Sequence, residues 1–261
     1  YLSQENNPPI GFVFVDEAHK LANEKDSRSV TTYTAIEKTI KKYGNVKLYF
    51  SSPNVSNPEV FLELFDRNKP NRTFKTNESP VSQNLFFIDL ISQNIELIQR
   101  NNNVTIANTN LFQVANSTTS LIQYLGIGKN NLIYCNSKAK TIFEANEFSK
   151  TVGAIELSES LKKAIKQIKE YIHPQYYLAN LLQHKVAFHY GKLPQLIRNL
   201  VEDLYKKEEV QNVFCTSTLL EGVNMPTQNI FILNGKNGRK PLSQIDFWNL
   251  SGRAGGLSKE L

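Results

Sequence analysis

Six short apolar runs punctuate the chain, and each ends in polar or small residues: IGFVFV before Asp16, KLYF before Ser51, NLIYC before Asn136, VAF before His189, VFC before Thr216 and NIFIL before Asn234. Continuous apolar runs of this length predict strands buried on both faces of a parallel sheet. Between them the period changes. Leu157, Leu161, Ala164, Ile165, Ile168 and Ile172 recur at spacings of three and four, as do Leu193, Leu196, Ile197, Leu200, Val201 and Leu204, and both sets predict helices with one buried stripe. Pro194 suits the first turn of the second helix, where a missing N–H is harmless. Strands alternating with helices predict an α/β fold with right-handed crossovers. In such sheets ligands gather at the carboxyl ends of the strands, and the chemically informative residues of this sequence sit there.

A chain of 261 residues is long enough for two ordinary domains. The polar stretch DRNKPNRTFKTNESPVSQN, residues 66–84, holds two prolines and is the candidate linker. The division expected is residues 1–70, a linker over 71–84, and residues 85–261. The Asn-rich segment QRNNNVTIANTN, residues 99–110, reads as a surface loop.

Charge sharpens this division. Residues 1–70 hold nine Lys/Arg and nine Asp/Glu, so the formal net charge of +6 comes entirely from residues 71–261. A basic domain attracts polyanions without reading sequence. Hydrophobic residues at 40% and charged residues at 21% give the balance of a folded globular protein. No apolar run reaches the roughly 20 residues of a membrane helix, and YLSQENNPPI has no signal-peptide pattern, so no membrane partner and a cytoplasmic location are expected. Cys135 and Cys215 each lie in an apolar run, as buried thiols of a reducing compartment do. No pair of His19, His173, His184 and His189 shows metal-ligand spacing with supporting Cys or Asp.

Asp16 and Glu17 follow directly on the first apolar run. Hydrolysis of a nucleoside triphosphate needs one carboxylate to hold Mg²⁺ and another to position or deprotonate the attacking water, and adjacent acids at a strand end can do both. The string that contains them, FVFVDEAHK, has the D-E-A-H of superfamily 2 helicases. Further stretches follow in that family's order: FSSPN at 50–54, LIYCNSK at 132–138, VAFHYGKLPQLIR at 186–198, CTSTLLEGVNMP at 215–226 and FWNLSGRAGG at 247–256. The sequence therefore resembles the superfamily 2 DEAD/DEAH-box helicases, and its Gly-Val-Asn followed by Pro226 looks like the superkiller-like branch.

The resemblance implies two RecA-like domains, an ATP-dependent helicase or translocase activity on RNA or DNA, single-stranded or duplex, and the cofactors ATP and Mg²⁺. It assigns Mg²⁺ coordination through water to Asp16, the catalytic base to Glu17, and linkage of the nucleotide site to the second domain to His19. Ser51 and Ser52 match the Ser-Ala-Thr coupling motif, although Pro53 departs from its commonest form. Ser137, Lys138, Gln195, Arg198 and Thr216 match positions that hold the nucleic-acid backbone. Gln195 and Arg198 are three apart and share one side of the predicted helix, and Ser137 equally suits a helix cap. Gly222 and Asn224 match positions near the nucleotide, and Arg253 matches the arginine that reaches the γ-phosphate, an interaction worth about 10³ to 10⁵ in rate.

Two departures stand out. The pattern normally ends Gly-Arg-Ala-Gly-Arg, whereas this chain has Gly256 last, and no G-x-x-x-x-G-K-[ST] phosphate loop precedes the acidic motif. The expectation is a segment of a longer, bacterial helicase, inactive as an ATPase by itself. The alternative is a nucleic-acid-binding protein derived from a helicase and lacking catalysis.

Overall fold

A computed structural model describes residues 2–4, 6–22, 27–52, 55, 57–67, 73–74, 83–99, 102–106, 110–153, 156–217, 225, 227–252 and 254. The chain divides into two compact units, residues 1–78 and 79–261.

In the first unit β1 (Phe12–Val15) and β2 (Lys47–Phe50) pair in parallel, with Val15 opposite Phe50. The crossover between them carries a 3₁₀ turn, Ala18–Ala22, and α1 (Ser27–Lys42), and α2 (Val60–Glu63) follows β2. Successive side chains on a strand point to opposite faces. Val13, Val15, Leu48 and Phe50 pack with Ile36, Ile40, Phe61 and Phe65, and Phe50 stacks on Phe61 and Phe65 at 5.7 and 5.9 Å. Phe12, Phe14 and Tyr49 face the other way and are 66%, 61% and 50% exposed. The expectation that this sheet is buried on both faces is thus corrected. Among the described residues, helices cover one face only.

The second unit opens with β3 (Leu85–Asp89), β4 (Asn94–Ile98) and β5 (Asn103–Thr105), an antiparallel sheet in that order. Its Ile88 and Ile95 pack with Leu111, Ala115 and Leu121 of α3 (Leu111–Val114), the residue after it, and α4 (Thr118–Gly126). The Asn-rich segment read as a loop therefore contains a strand. Asn103 and Thr105 stand exposed while their backbone pairs with β4, and pairing of that kind leaves little trace in side-chain chemistry.

Beyond α4 come β6 (Asn131–Tyr134), α5 (Lys138–Thr151), α6 (Glu159–Tyr171), α7 (Tyr177–Leu181), β7 (Val186–His189), α8 (Gln195–Lys206), β8 (Asn212–Cys215) and β9 (Asn229–Ile232). A short hairpin of β10 (Lys236–Asn237) and β11 (Lys240–Pro241) leads to α9 (Gln244–Ser251). The four long-range strands run parallel in the order β7-β8-β6-β9. Leu132, Ile133, Val186, Ala187, Phe188, Val213 and Phe214 are fully buried, as the apolar runs require. Both predicted helices form with most of their apolar positions in this core, but Ile172 and Leu196 of the predicted stripes are exposed, Leu196 at 61%. Ser117, Ser137, Ser158 and Ser243 cap α4, α5, α6 and α9, each hydroxyl accepting an N–H of the first turn. Pro194 stands one place earlier than expected, at the cap of α8.

Register is fixed by an asparagine network at the amino ends of the central strands. Asn131 lies opposite both Asn212 and Asn229. Its fully buried Nδ2 lies 2.9 Å from each of Gly126 O, Lys129 O and Asn212 Oδ1, with two N–H groups shared among the three oxygens, and its Oδ1 accepts from Asn229 Nδ2 at 3.0 Å. A one-residue slip of β6 would move its carboxyl end by roughly 3.3 Å, so this network aligns the loops at the opposite edge.

Candidate functional site

In the first unit the acidic pair forms a tight turn at the end of β1. Glu17 adopts φ 54°, a left-handed conformation that costs a non-glycine residue about 1–2 kcal/mol. The turn is held from several sides. Glu17 N–H donates to Asp16 Oδ1 at 2.9 Å, Lys20 N–H to Glu17 O at 2.9 Å, and Ala18 N–H to Ser51 O at 2.8 Å, while Ser51 N–H returns to Val15 O at 2.9 Å. The parallel register sets the two strand ends side by side and so joins the acidic and Ser-Ser stretches.

His19 is the side-chain link between them. Its Nδ1 lies 3.1 Å from Ser52 Oγ and its Nε2 lies 3.3 Å from Glu17 Oε2. Burial lowers the imidazole's pKa, and the Glu17 carboxylate opposes that shift only in part. A neutral ring has one donor and one acceptor nitrogen, which matches a hydroxyl on one side and a carboxylate on the other. Asp16 is exposed on the turn. Its hard carboxylate oxygens suit Mg²⁺ held largely through water. Among the described residues no group of three or more His, Cys, Asp and Glu could enclose a metal, so such an ion would complete its shell with water and phosphate.

In the second unit Ser137, Lys138, Gln195, Arg198 and Thr216 all lie beyond the carboxyl ends of β6, β7 and β8. Ser137 Oγ accepts Lys140 N–H at 3.3 Å as the α5 cap. Lys138 Nζ sits 5.0 Å above the ring of Tyr190, and Thr216 N–H donates to His189 O at 3.2 Å. Arg198 donates to Gln195 Oε1, and Gln195 Nε2 to Asn199 Oδ1 at 2.6 Å, so the predicted same-side pair is in contact. Pro53, Gly222, Asn224, Arg253 and Gly256, together with most of the 66–84 stretch, lie outside the described residues.

Sequence reading missed three features of this edge. His189 is 2% exposed, and its Nε2 pairs with Glu202 Oε1 at 3.1 Å. Tyr190, which supports Lys138, stacks on Phe188 at 5.7 Å. The β10–β11 hairpin backs Asn136, which accepts Gly238 N–H at 2.9 Å and donates to Gly238 O at 3.1 Å. The single legible signal was the i, i+4 spacing of Arg198 and Glu202 on an amphipathic helix.

Parallel sheets, one carrying an acidic turn bonded to a neighbouring Ser-Ser strand end and the other polar and basic groups beyond its strands, fit a RecA-like α/β fold. The comparisons agree. No protein-family model matches the chain. The U5 small nuclear ribonucleoprotein 200 kDa helicase of Drosophila melanogaster is 26% identical over 266 residues, which covers 94% of this chain and 12% of that protein. The antiviral helicase SKI2 of Saccharomyces cerevisiae is 31% identical over 80 residues, covering 29% of this chain and 6% of that one. Among solved structures, the DUF1998 helicase MrfA bound to DNA and AMPPNP aligns with a TM-score of 0.54 and 14% identity over 94% of this chain and 29% of its own. The chain is homologous to the superkiller-like helicases, and it spans about an eighth or less of these two curated relatives.

Proposed function

We propose that this chain is part of the motor of an ATP-dependent helicase or translocase acting on nucleic acid. The observation that carries the reading is the His19 link, in which one part-buried imidazole touches both the Glu17 carboxylate at 3.3 Å and Ser52 at 3.1 Å. A change at the carboxylate during hydrolysis is felt at once by the Ser-Ser strand end, which is what coupling requires.

In this reading Glu17 accepts a proton from water as the water oxygen bonds to the γ-phosphorus; the bond from that phosphorus to the bridging oxygen breaks, and ADP and phosphate leave. Asp16 would hold Mg²⁺ through water, and the ion would supply positive charge to the phosphate oxygens. For the nucleotide the resemblance also names Gly222, Asn224 and Arg253, which lie outside the described residues. Ser137, Lys138, Gln195, Arg198 and Thr216 hold phosphate and sugar of a single strand. Backbone contacts of this kind let a motor pass any sequence.

The test is ATP hydrolysis by the full-length protein with and without single-stranded nucleic acid, alongside Glu17→Gln. Strand-stimulated turnover that falls about 10²-fold or more in the variant is expected. Equal turnover in parent and variant would sink the reading. Salt-sensitive strand binding indifferent to ATP would favour a non-catalytic binding protein, the outcome to which Gly256 points.

A further inference from the structure

We propose that Gln83 is a positioning residue for the turn that closes α9, the stretch in which the resemblance sets the arginine of the nucleotide site. The proposal rests on the helicase reading above. Gln83 lies near the end of the polar stretch read as a linker, two places before β3. Its Nε2 donates to Ser251 O at 2.9 Å and to Ala254 O at 3.0 Å, part-buried contacts across 168 and 171 residues. One side-chain amide carries two N–H donors, so it serves both oxygens at once. Turned over, the amide would set its own oxygen against two carbonyls, and the pairing therefore fixes its orientation as well.

The last carbonyls of a helix have no partner within it, and Ser251 is the final residue of α9. Ala254 N–H turns back to Ser251 O at 3.0 Å, Gly252 N–H donates to Trp248 O at 2.8 Å, and Ala254 forms a parallel bridge with Thr227. Thr227 is 2% exposed, and its Oγ1 meets Tyr205 OH at 3.2 Å. The turn is thus tied to the core through Thr227 and to the end of the linker stretch through Gln83. Arg253 stands between the two clamped carbonyls in the chain. Without the amide both oxygens lose their side-chain donor, and the turn keeps only its own backbone bonds and the Thr227 bridge. A shift of about 1 Å in a group that acts on a reacting phosphate can cost about 10²-fold in rate. Gln83 acts through the turn, so its loss should fall on the chemical step and not on uptake of ATP.

Steady-state ATP hydrolysis by the full-length protein at saturating oligo(U) or oligo(dT) tests this, with circular dichroism melts of every variant. Gln83→Ala should lower kcat about tenfold or more while KM for ATP moves by less than about twofold. Gln83→Glu keeps the shape of the side chain but sets a carboxylate, which only accepts, against two carbonyl oxygens. It should lower kcat at least as far at neutral pH. In an Arg253→Ala background neither substitution should reduce the residual turnover further. Full kcat in Gln83→Glu, losses that add to that of Arg253→Ala, or a loss in Gln83→Ala that merely follows the fraction unfolded would overturn the proposal alone. Absence of strand-stimulated hydrolysis by the parent, or full turnover in Arg253→Ala, would overturn the reading beneath it and this proposal together.

Discussion

Replacing Asn131 with leucine removes the centre of the asparagine network while keeping the number and branching of side-chain heavy atoms. The lost bonds are those to Gly126 O, Lys129 O, Asn212 Oδ1 and Asn229 Nδ2. Lys129 is exposed, so water can replace that bond, and Asn229 Nδ2 keeps Leu125 O at 3.2 Å. Gly126 is buried, but its carbonyl keeps Lys129 N–H at 3.1 Å, so each of the three remaining bonds counts at roughly 1 kcal/mol. The expected loss is about 2–3 kcal/mol, or a melting temperature lower by about 8 °C for a unit of this size. Asn131→Asp should be worse at neutral pH, because it sets a buried acceptor against three oxygens. That raises the aspartate's folded pKa, so its penalty should shrink as pH falls and the carboxyl group becomes a donor. Urea unfolding followed by circular dichroism and by Trp248, the single tryptophan, measures both. Variants within about 0.5 kcal/mol of the parent, an ordinary surface effect, would refute the assignment of register to this network.

Other consequences follow from the same packing. A Cβ at Gly126 would lie 2.7 Å from Asn131 Nδ2, so Gly126→Ala should cost about 1–3 kcal/mol in urea unfolding by displacing that amide. The folded-state pKa of His189 is lowered from 6.5, so the unfolded chain binds protons first on acidification. Stability of the second unit should therefore fall as pH drops through about 6.5, by at most about 1.4 kcal/mol per unit for this residue, and His189→Gln should flatten that slope in melts across pH. Burial raises the Cys135 thiol to about 12 and leaves both cysteines 0% exposed. Ellman's reagent at mildly alkaline pH should be inert toward both in the native protein and titrate both in guanidinium; fast native reaction would contradict the packing.

Much of this molecule is written in local chemistry. Six apolar runs give six strands, four within the core of the second unit and two in the first unit with one covered face, and the 3.6-residue stripes at 157–172 and 193–204 give α6 and α8 because the same core claims one face of each. The Asp16–His19 string and the residues after β6, β7 and β8 stand at strand ends, where the apolar runs before them place them. Other features depend on pairing across distance. The β5 strand at Asn103–Thr105 exists through backbone bonds to β4, which its exposed side chains do not advertise. Phe12 and Phe14 read as buried, yet only parallel pairing and the placement of helices decide which face of a strand is covered. His19 meets Ser52 across 33 residues, and His189 meets Glu202 through the packing of α8 on β7. Sequence thus determined which groups stand at the strand ends, through local burial and periodicity. Only the tertiary structure decided which of them touch, because those contacts are set by sheet register and helix docking, and neither is encoded in any single segment.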